Sequence, residues 1–206
     1  MTQARTRLTL DEYLALDSEG WVALGLPEGR CEYVGSGELN VLPSESELND
    51  WIAQELFWLL ATAQIVSRRL IRPHSCEIEV TGKPKTRYPD LVILREEHIN
   101  LTQKRLLIRL DMPPPRLIAE VVSPREVNRK RDYEEKRKQY QERGVPEYWL
   151  IDPENGCITV LKLMNEKYVE HGVFRGEGQI SSLEFGLLPI KANQILEAGQ
   201  NFDGGR

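Results

Sequence analysis

The sequence predicts an α/β protein of the α+β kind, a mixed β-sheet core flanked by helices, and three observations carry that expectation. Two runs, 90–94 and 116–122, are almost wholly apolar, as central strands covered on both faces must be. Two pairs of strand-like segments are each joined by a short glycine-containing turn, the signature of hairpins. Between these segments lie stretches with apolar residues at helical rather than alternating spacing.

Each element has a local reason. Thr9 followed by Glu12 forms a capping box for a short helix through Tyr13 and Leu14. Residues 30–34 and 38–42 flank Gly35-Ser36-Gly37 and read as the first hairpin. Ser46 caps a helix expected from Glu47 to about Val66, with Trp51, Ile52, Leu56, Leu59 and Leu60 on helical spacing. Strands are expected at 69–73 and 77–80, followed by a basic turn holding Lys83, Lys85 and Arg87. Pro89 precedes the strand 90–94, an acceptable place for proline, and Ser123-Pro124 ends the strand 116–122. A charged helix is expected from Val127 to Arg143, stopped by Gly144 with Pro146 beyond it. Residues 147–151 and 158–163 flank Asp152-Pro153-Glu154-Asn155-Gly156, a second hairpin with an Asn-Gly turn. Later segments alternate weakly and are expected to extend the sheet or pack over it, and residues 199–206 read as a frayed end.

The chain of 206 residues suits one domain: a helix and hairpin over 8–45, a core over 46–165 and an extension over 166–206. With 40% hydrophobic and 29% charged residues, it has the composition of a globular protein with a real core. No apolar run approaches the ~20 residues that span a bilayer, and the first residues lack an apolar signal core, so a cytoplasmic protein is expected. Cys31, Cys76 and Cys157 are odd in number and far apart, which suits neither a disulfide framework nor a CxxC zinc site. His74, His98 and His171 are equally scattered and read as structural or incidental. The net charge of −5 argues against a chain coated in nucleic acid but leaves room for a local basic strip.

Asp90 and Glu120 do not belong in a core. Each sits at or within an apolar strand, where a carboxylate is costly unless paired, hydrogen-bonded or on a metal. Two neighbouring carboxylates repel, and a divalent cation relieves the repulsion. Hard oxygen ligands favour Mg²⁺ or Mn²⁺ over zinc. A carboxylate at a strand end can equally face solvent or pair with an arginine. On the 127–143 helix, Tyr133 and Tyr140 mark an inward face. Lys136 lies between them and Asp132 beside Tyr133. The two are either a surface acid–base pair or a lysine delivered toward the carboxylates, with lysine stems often lying along tyrosines.

The ordered set Tyr88-Pro89-Asp90-Leu91-Val92, Leu117-Ile118-Ala119-Glu120-Val121-Val122-Ser123-Pro124, then Asp132, Lys136 and Tyr140, then 144–153 with Gly-Val-Pro-Glu-Tyr-Trp, resembles the Uma-type endonuclease family. The opening Leu8–Tyr13 and the segments around Cys31-Glu32-Tyr33 and Gly37-Glu38-Leu39 match as well. The resemblance implies a restriction-endonuclease-like fold of the PD-(D/E)XK superfamily. It makes Asp90 and Glu120 the metal-holding carboxylates, Mg²⁺ or Mn²⁺ the cofactor and nucleic acid, expected to be DNA, the partner. The superfamily's lysine normally stands two residues after the second acid, where this chain has Val122 on the same strand face. Lys136 is the substitute. An acidic residue on the first long helix is also implied; Glu47 is the choice, with Glu45 and Glu55 competing, and Asp132 is a further member of the site. Glu32 reads as structural or as support for its neighbours.

The implied reaction is metal-assisted hydrolysis of a phosphodiester, with Lys136 orienting the nucleophile or stabilising developing charge. Lys83, Lys85, Arg87, Arg125, Arg129, Lys130 and Arg131 are candidates for phosphate contacts, or a solvated surface balancing nearby acids. The rival reading is an inactive binding or assembly module on the same fold, with Val122 a mark of decay. A two-carboxylate glycosidase fits the acids but not the motif. A homodimer is the assembly to test for.

Overall fold

The computed structural model describes residues 2–198, so the expected fraying of 199–206 lies outside the described residues. Strands β1 (Thr2–Arg5), β2 (Cys31–Gly35) and β3 (Glu38–Val41) form an antiparallel sheet ordered β1-β3-β2, with β2 and β3 as the expected first hairpin. Thr9 caps helix α1 (Leu10–Ala15) with the full capping box, and a second short helix, α2 (Ser18–Ala23), follows. Tyr13, Leu14, Cys31, Tyr33, Leu39 and Leu107 make a small core for this region.

Helix α3 (Glu47–Thr62) starts at Ser46, whose side chain accepts from the Asn49 amide, and buries Ile52, Ala53, Leu56 and Leu60. It ends four residues earlier than its apolar spacing suggests. A short 3₁₀ turn at Arg68–Leu70 then takes the first part of the expected strand, leaving β4 as Ile71–Pro73. Strands β5 (Glu77–Glu79), β6 (Thr86–Arg87), β7 (Leu91–Ile93), β8 (Leu107–Ile108), β9 (Leu117–Val121), β10 (Glu147–Asp152), β11 (Cys157–Met164) and β12 (Lys167–Phe174) follow. The principal sheet is ordered β12-β11-β10-β9-β7-β4. Only the β9–β10 pair in it is parallel, because the long helix lies between those two strands and carries the chain back. Strands β6-β5-β8 form a small separate sheet. The hairpin of β13 (Gln179–Ser182) and β14 (Gly186–Lys191) closes the described chain, with the short helix Ala192–Leu196.

The central strands β7, β9 and β10 are buried along their whole length, as their unbroken apolar runs require. They form one core with the inner face of α3 and with Tyr140, Tyr148, Trp149 and Val160. Val122 belongs to this core.

The charged helix runs continuously over 126–142, but its middle, Arg131–Lys136, is π-helical. Such widened turns are rare and concentrate at functional sites. Gly144, at φ +78, ends the helix in a Schellman motif. The Val145 amide donates to the Tyr140 carbonyl at 3.0 Å and the Gly144 amide to that of Gln141 at 3.0 Å. This stop fixes where the helix sits against the sheet. No helix among the described residues is long and apolar enough to cross a membrane.

Candidate active site and metal centre

Sheet register brings three chemistry-bearing residues into one row. Leu91 pairs with Ala119 and Pro73 pairs with Leu91. One step further along both registers, Asp90 lies between Glu120 on one side and His74 on the other. The His74 amide donates to the Asp90 carbonyl at 2.9 Å, which pins that side of the row.

Asp90 and Lys136 line a cleft of about 400 Å³, together with Glu32, Glu45, Asn49, Ser123, Arg125 and Arg131. Glu120 lies behind Lys136, fully buried. The Lys136 ammonium donates to Glu120 Oε2 at 2.7 Å and lies 3.0 Å from Asp132 Oδ1. The Tyr140 hydroxyl donates to Glu120 Oε1 at 2.7 Å. Lys136 is therefore turned inward, not along the solvated face. Burial opposes its charge, but Glu120 and Asp132 outweigh burial and hold its pKa above the ordinary lysine value. Asp132 is buried too. Lys136 and Arg131 overcome its desolvation and keep it below the ordinary carboxylate range.

Carboxylates in apolar strands are more numerous here than the two singled out from sequence, and their donors separate them. Glu77 accepts from Tyr13 at 2.8 Å, Tyr88 at 3.2 Å and Arg105 at 2.5 Å. Glu147 accepts from Trp149 at 2.5 Å, Ser182 at 3.0 Å and the Glu184 amide at 2.9 Å. Asp152 is held by Arg129, Tyr133 and Asn155. These three are structural, each with its oxygens satisfied by fixed donors. Asp90 differs. It is 7% exposed and accepts one hydrogen bond among the described residues, from the Val121 amide to Oδ2 at 2.7 Å. Burial, and next the charge of Glu120, push its carboxyl well above the ordinary range. A buried carboxylate this poorly supplied with donors, beside a second carboxylate, fits a divalent cation.

His74, read from sequence as structural or incidental, stands beside Asp90 in the structure. Donor atoms of Glu45, His74 and Asp90 all lie within 4.8 Å of one another. Burial holds the His74 ring below the ordinary imidazole pKa and favours the neutral, metal-binding form. The signal was absent from the sequence because sheet pairing, not spacing, brings the residues together. By contrast, His98 is structural, held by the Arg95 amide and the Pro113 carbonyl.

The remaining expectations divide. Glu47 is exposed on the first turn of α3 and does not line the cleft, whereas Glu45, just before the cap, does. Arg87 is withdrawn from phosphate contact: it is 2% exposed, donates to Gln139 at 2.7 Å and pairs with Glu32 at 3.3 Å. Lys83 is exposed and Lys85 half-buried, and neither lines the cleft. Arg129 is occupied by Asp152 and Glu154, yet with Arg125 and Lys130 it lines a second, shallower groove. Besides Lys136, the basic side chains of the cleft are Arg125 and Arg131, both among the candidates for phosphate contact read from the sequence.

Asp152→Asn is an expected stability loss. Its donors hold the carboxyl down to about 2, against desolvation, from an unfolded value near ~3.9. The stabilisation is therefore present above about pH 4 and disappears as pH falls through about 2. The substitution should cost roughly 2–4 kcal/mol at pH 7. Chemical denaturation at pH 7 and near pH 2 checks this; an equal difference at both would show that the charge is irrelevant.

The fold has a counterpart among solved structures. It is similar to the crystal structure titled a "putative nuclease belonging to DUF820" from Anabaena variabilis ATCC 29413, with a TM-score of 0.59 at 17% identity. The match covers 93% of this chain and 98% of that one, a likeness of fold. A family model described as "Uma2: Putative restriction endonuclease" matches residues 10–189, and the chain belongs to that family. Comparison with curated proteins finds no match.

Proposed function

We propose that the chain is a divalent-metal-dependent nuclease that hydrolyses phosphodiester bonds of DNA. In this reading Asp90 and Glu120 are the metal-side carboxylates and Lys136 is the charge-bearing catalytic residue. One observation carries it: Asp90, short of donors, faces Glu120 across the sheet while the Lys136 ammonium reaches Glu120 at 2.7 Å from the adjoining helix. Each carboxylate oxygen of Glu120 holds one donor and retains a further lone pair for a cation.

Bound Mg²⁺ or Mn²⁺ supplies Lewis acidity to a phosphoryl oxygen and lowers the pKa of a coordinated water. Lys136 supplies a fixed positive charge where negative charge develops on phosphorus-bound oxygen, at no cost in reorganisation. Glu120, Asp132 and Tyr140 position that ammonium. Arg125 and Arg131 attract the phosphate backbone to the cleft, and Asn128 and Ser123 offer neutral hydrogen bonds beside it. The hydrolysis breaks one P–O ester bond, with water oxygen joining phosphorus and a proton passing to the departing alkoxide.

Cleavage of plasmid, linear duplex, single-stranded DNA and RNA, with Mg²⁺, Mn²⁺ or EDTA, tests the reading. DNA cleavage should appear with metal, vanish in EDTA and be abolished by Asp90→Asn. Cleavage that persists in EDTA or in Asp90→Asn would overturn the metal mechanism. No cleavage of any nucleic acid under any condition would establish a binding or assembly module.

A further inference from the structure

We propose that His74 completes the cation site with Glu45 and Asp90, and that its imidazole makes the site prefer a divalent transition-metal ion to Mg²⁺. The inference rests on the reading of Asp90 as a metal ligand and goes beyond it in donor set and in ion selectivity.

The geometry comes from three separate elements. Asp90 stands just before β7, His74 just after β4, and Glu45 just before the cap of α3. Their donor atoms lie within 4.8 Å of one another. Two ligands about 2.1 Å from one ion are at most roughly 4.2 Å apart, and the 3.6 Å between His74 Nδ1 and Asp90 Oδ1 already meets that.

The polar surroundings of His74 leave its ring without a partner. Nδ1 is 3.6 Å from Asp90 Oδ1 and Nε2 is 3.4 Å from Asp50 Oδ1. Neither nitrogen makes a hydrogen bond among the described residues, although both are shielded from solvent. Leaving a shielded ring nitrogen unsatisfied costs free energy, and an ion between Nδ1 and Asp90 would satisfy it. His74 also holds a φ of +49, unusual for a residue with a side chain. Glu45 keeps one oxygen on Arg30 at 2.7 Å, which fixes the carboxylate and leaves its other oxygen available.

Ligand chemistry sets the preference. Carboxylate and water ligands alone suit Mg²⁺, whereas an imidazole nitrogen adds affinity for first-row transition ions. One nitrogen among the carboxylates of Asp90, Glu45 and Glu120 favours Mn²⁺ and the ions beyond it in the series.

Isothermal titration of MnCl₂ and of MgCl₂ into the EDTA-stripped full chain tests this, with electron spin-echo spectroscopy of bound Mn²⁺ as a second readout. The wild type should bind Mn²⁺ more tightly than Mg²⁺ and show nitrogen modulation from a directly bound imidazole. His74→Ala should weaken Mn²⁺ about tenfold or more, leave Mg²⁺ nearly unchanged, and remove the nitrogen signal. Glu45→Gln should weaken both ions. Because the His74 ring makes no hydrogen bond, His74→Ala in EDTA should lose only the packing of that ring, a small drop in melting temperature. Unchanged Mn²⁺ affinity in His74→Ala, an absent nitrogen signal, or a large loss of melting temperature in EDTA would overturn the proposal. If Asp90→Asn loses Mn²⁺ while His74→Ala keeps it, the His74 ligand falls and the metal reading of Asp90 stands. If the wild type takes up no Mn²⁺, both fall.

Discussion

Lys136→Met should lower the DNA cleavage rate on the order of 10²-fold or more, as removal of one preorganised charge stabiliser does, while Lys138→Met should leave it unchanged. Lys138 is on the same helix but its side chain is 74% exposed, with Glu142 its nearest acid at 3.9 Å. Lys136 is held between Glu120 and Asp132 at 2.7 and 3.0 Å. Its removal leaves buried Glu120 without a cationic partner and Asp132 with Arg131 alone, which costs about 3–5 kcal/mol. In a chain of this size that is roughly 6–20 °C of melting temperature. Rates are therefore to be compared well below the melting point of the weaker variant. The double variant Lys136→Met/Asp132→Asn separates the two effects. It removes the Asp132 charge, so stability should recover in part while cleavage stays lost. Equal cleavage by the Lys136 and Lys138 variants would overturn the role of Lys136 and favour the binding-module reading.

The features legible in the sequence share one property: their cause is local. Thr9 with Glu12, Ser46, Gly144 and the Asn-Gly turn each act within a few residues, and each appears where its chemistry requires. Asp90 and Glu120 were visible because a carboxylate in an apolar run is conspicuous. Lys136 was visible because two tyrosines mark the same face of its helix. The same rule does not tell Asp90 from Glu147 or Asp152. That distinction lies in donors from remote elements, such as Ser182 for Glu147 and Arg129 for Asp152. The surroundings of His74 and Arg87 are hidden in the sequence for the same reason. One is drawn to Asp90 by antiparallel register, and the other is buried against Glu32 from β2 and Gln139 from the long helix. Glu45 and Glu47 differ by only two positions, but the Ser46 cap lies between them. The chain is extended before the cap and helical after it, so the two carboxylates leave in different directions. The π turn at Arg131–Lys136 has no sequence signal we can identify.

Asp90→Asn should raise stability in metal-free buffer by about 0.5–2 kcal/mol and erase the stabilisation that added metal gives the wild type. Asp90 is buried beside Glu120 with a single hydrogen-bond donor, so its charge is a net cost to the folded state when no cation is bound. Asparagine keeps a carbonyl oxygen for the Val121 amide and removes that charge. A cation that binds only the folded state stabilises by mass action, about 2.7 kcal/mol at one hundred times its dissociation constant. That gain should appear in the wild type and be absent in Asp90→Asn. Thermal melts of both proteins in EDTA and in MnCl₂ measure the four values. The Asp152→Asn variant makes the comparison sharp, because the same atom-for-atom change at a carboxylate with a full set of donors should lower stability with or without metal. A large destabilisation of Asp90→Asn in EDTA would place Asp90 with Asp152, as a structural ion-pair partner, and remove it from the metal site.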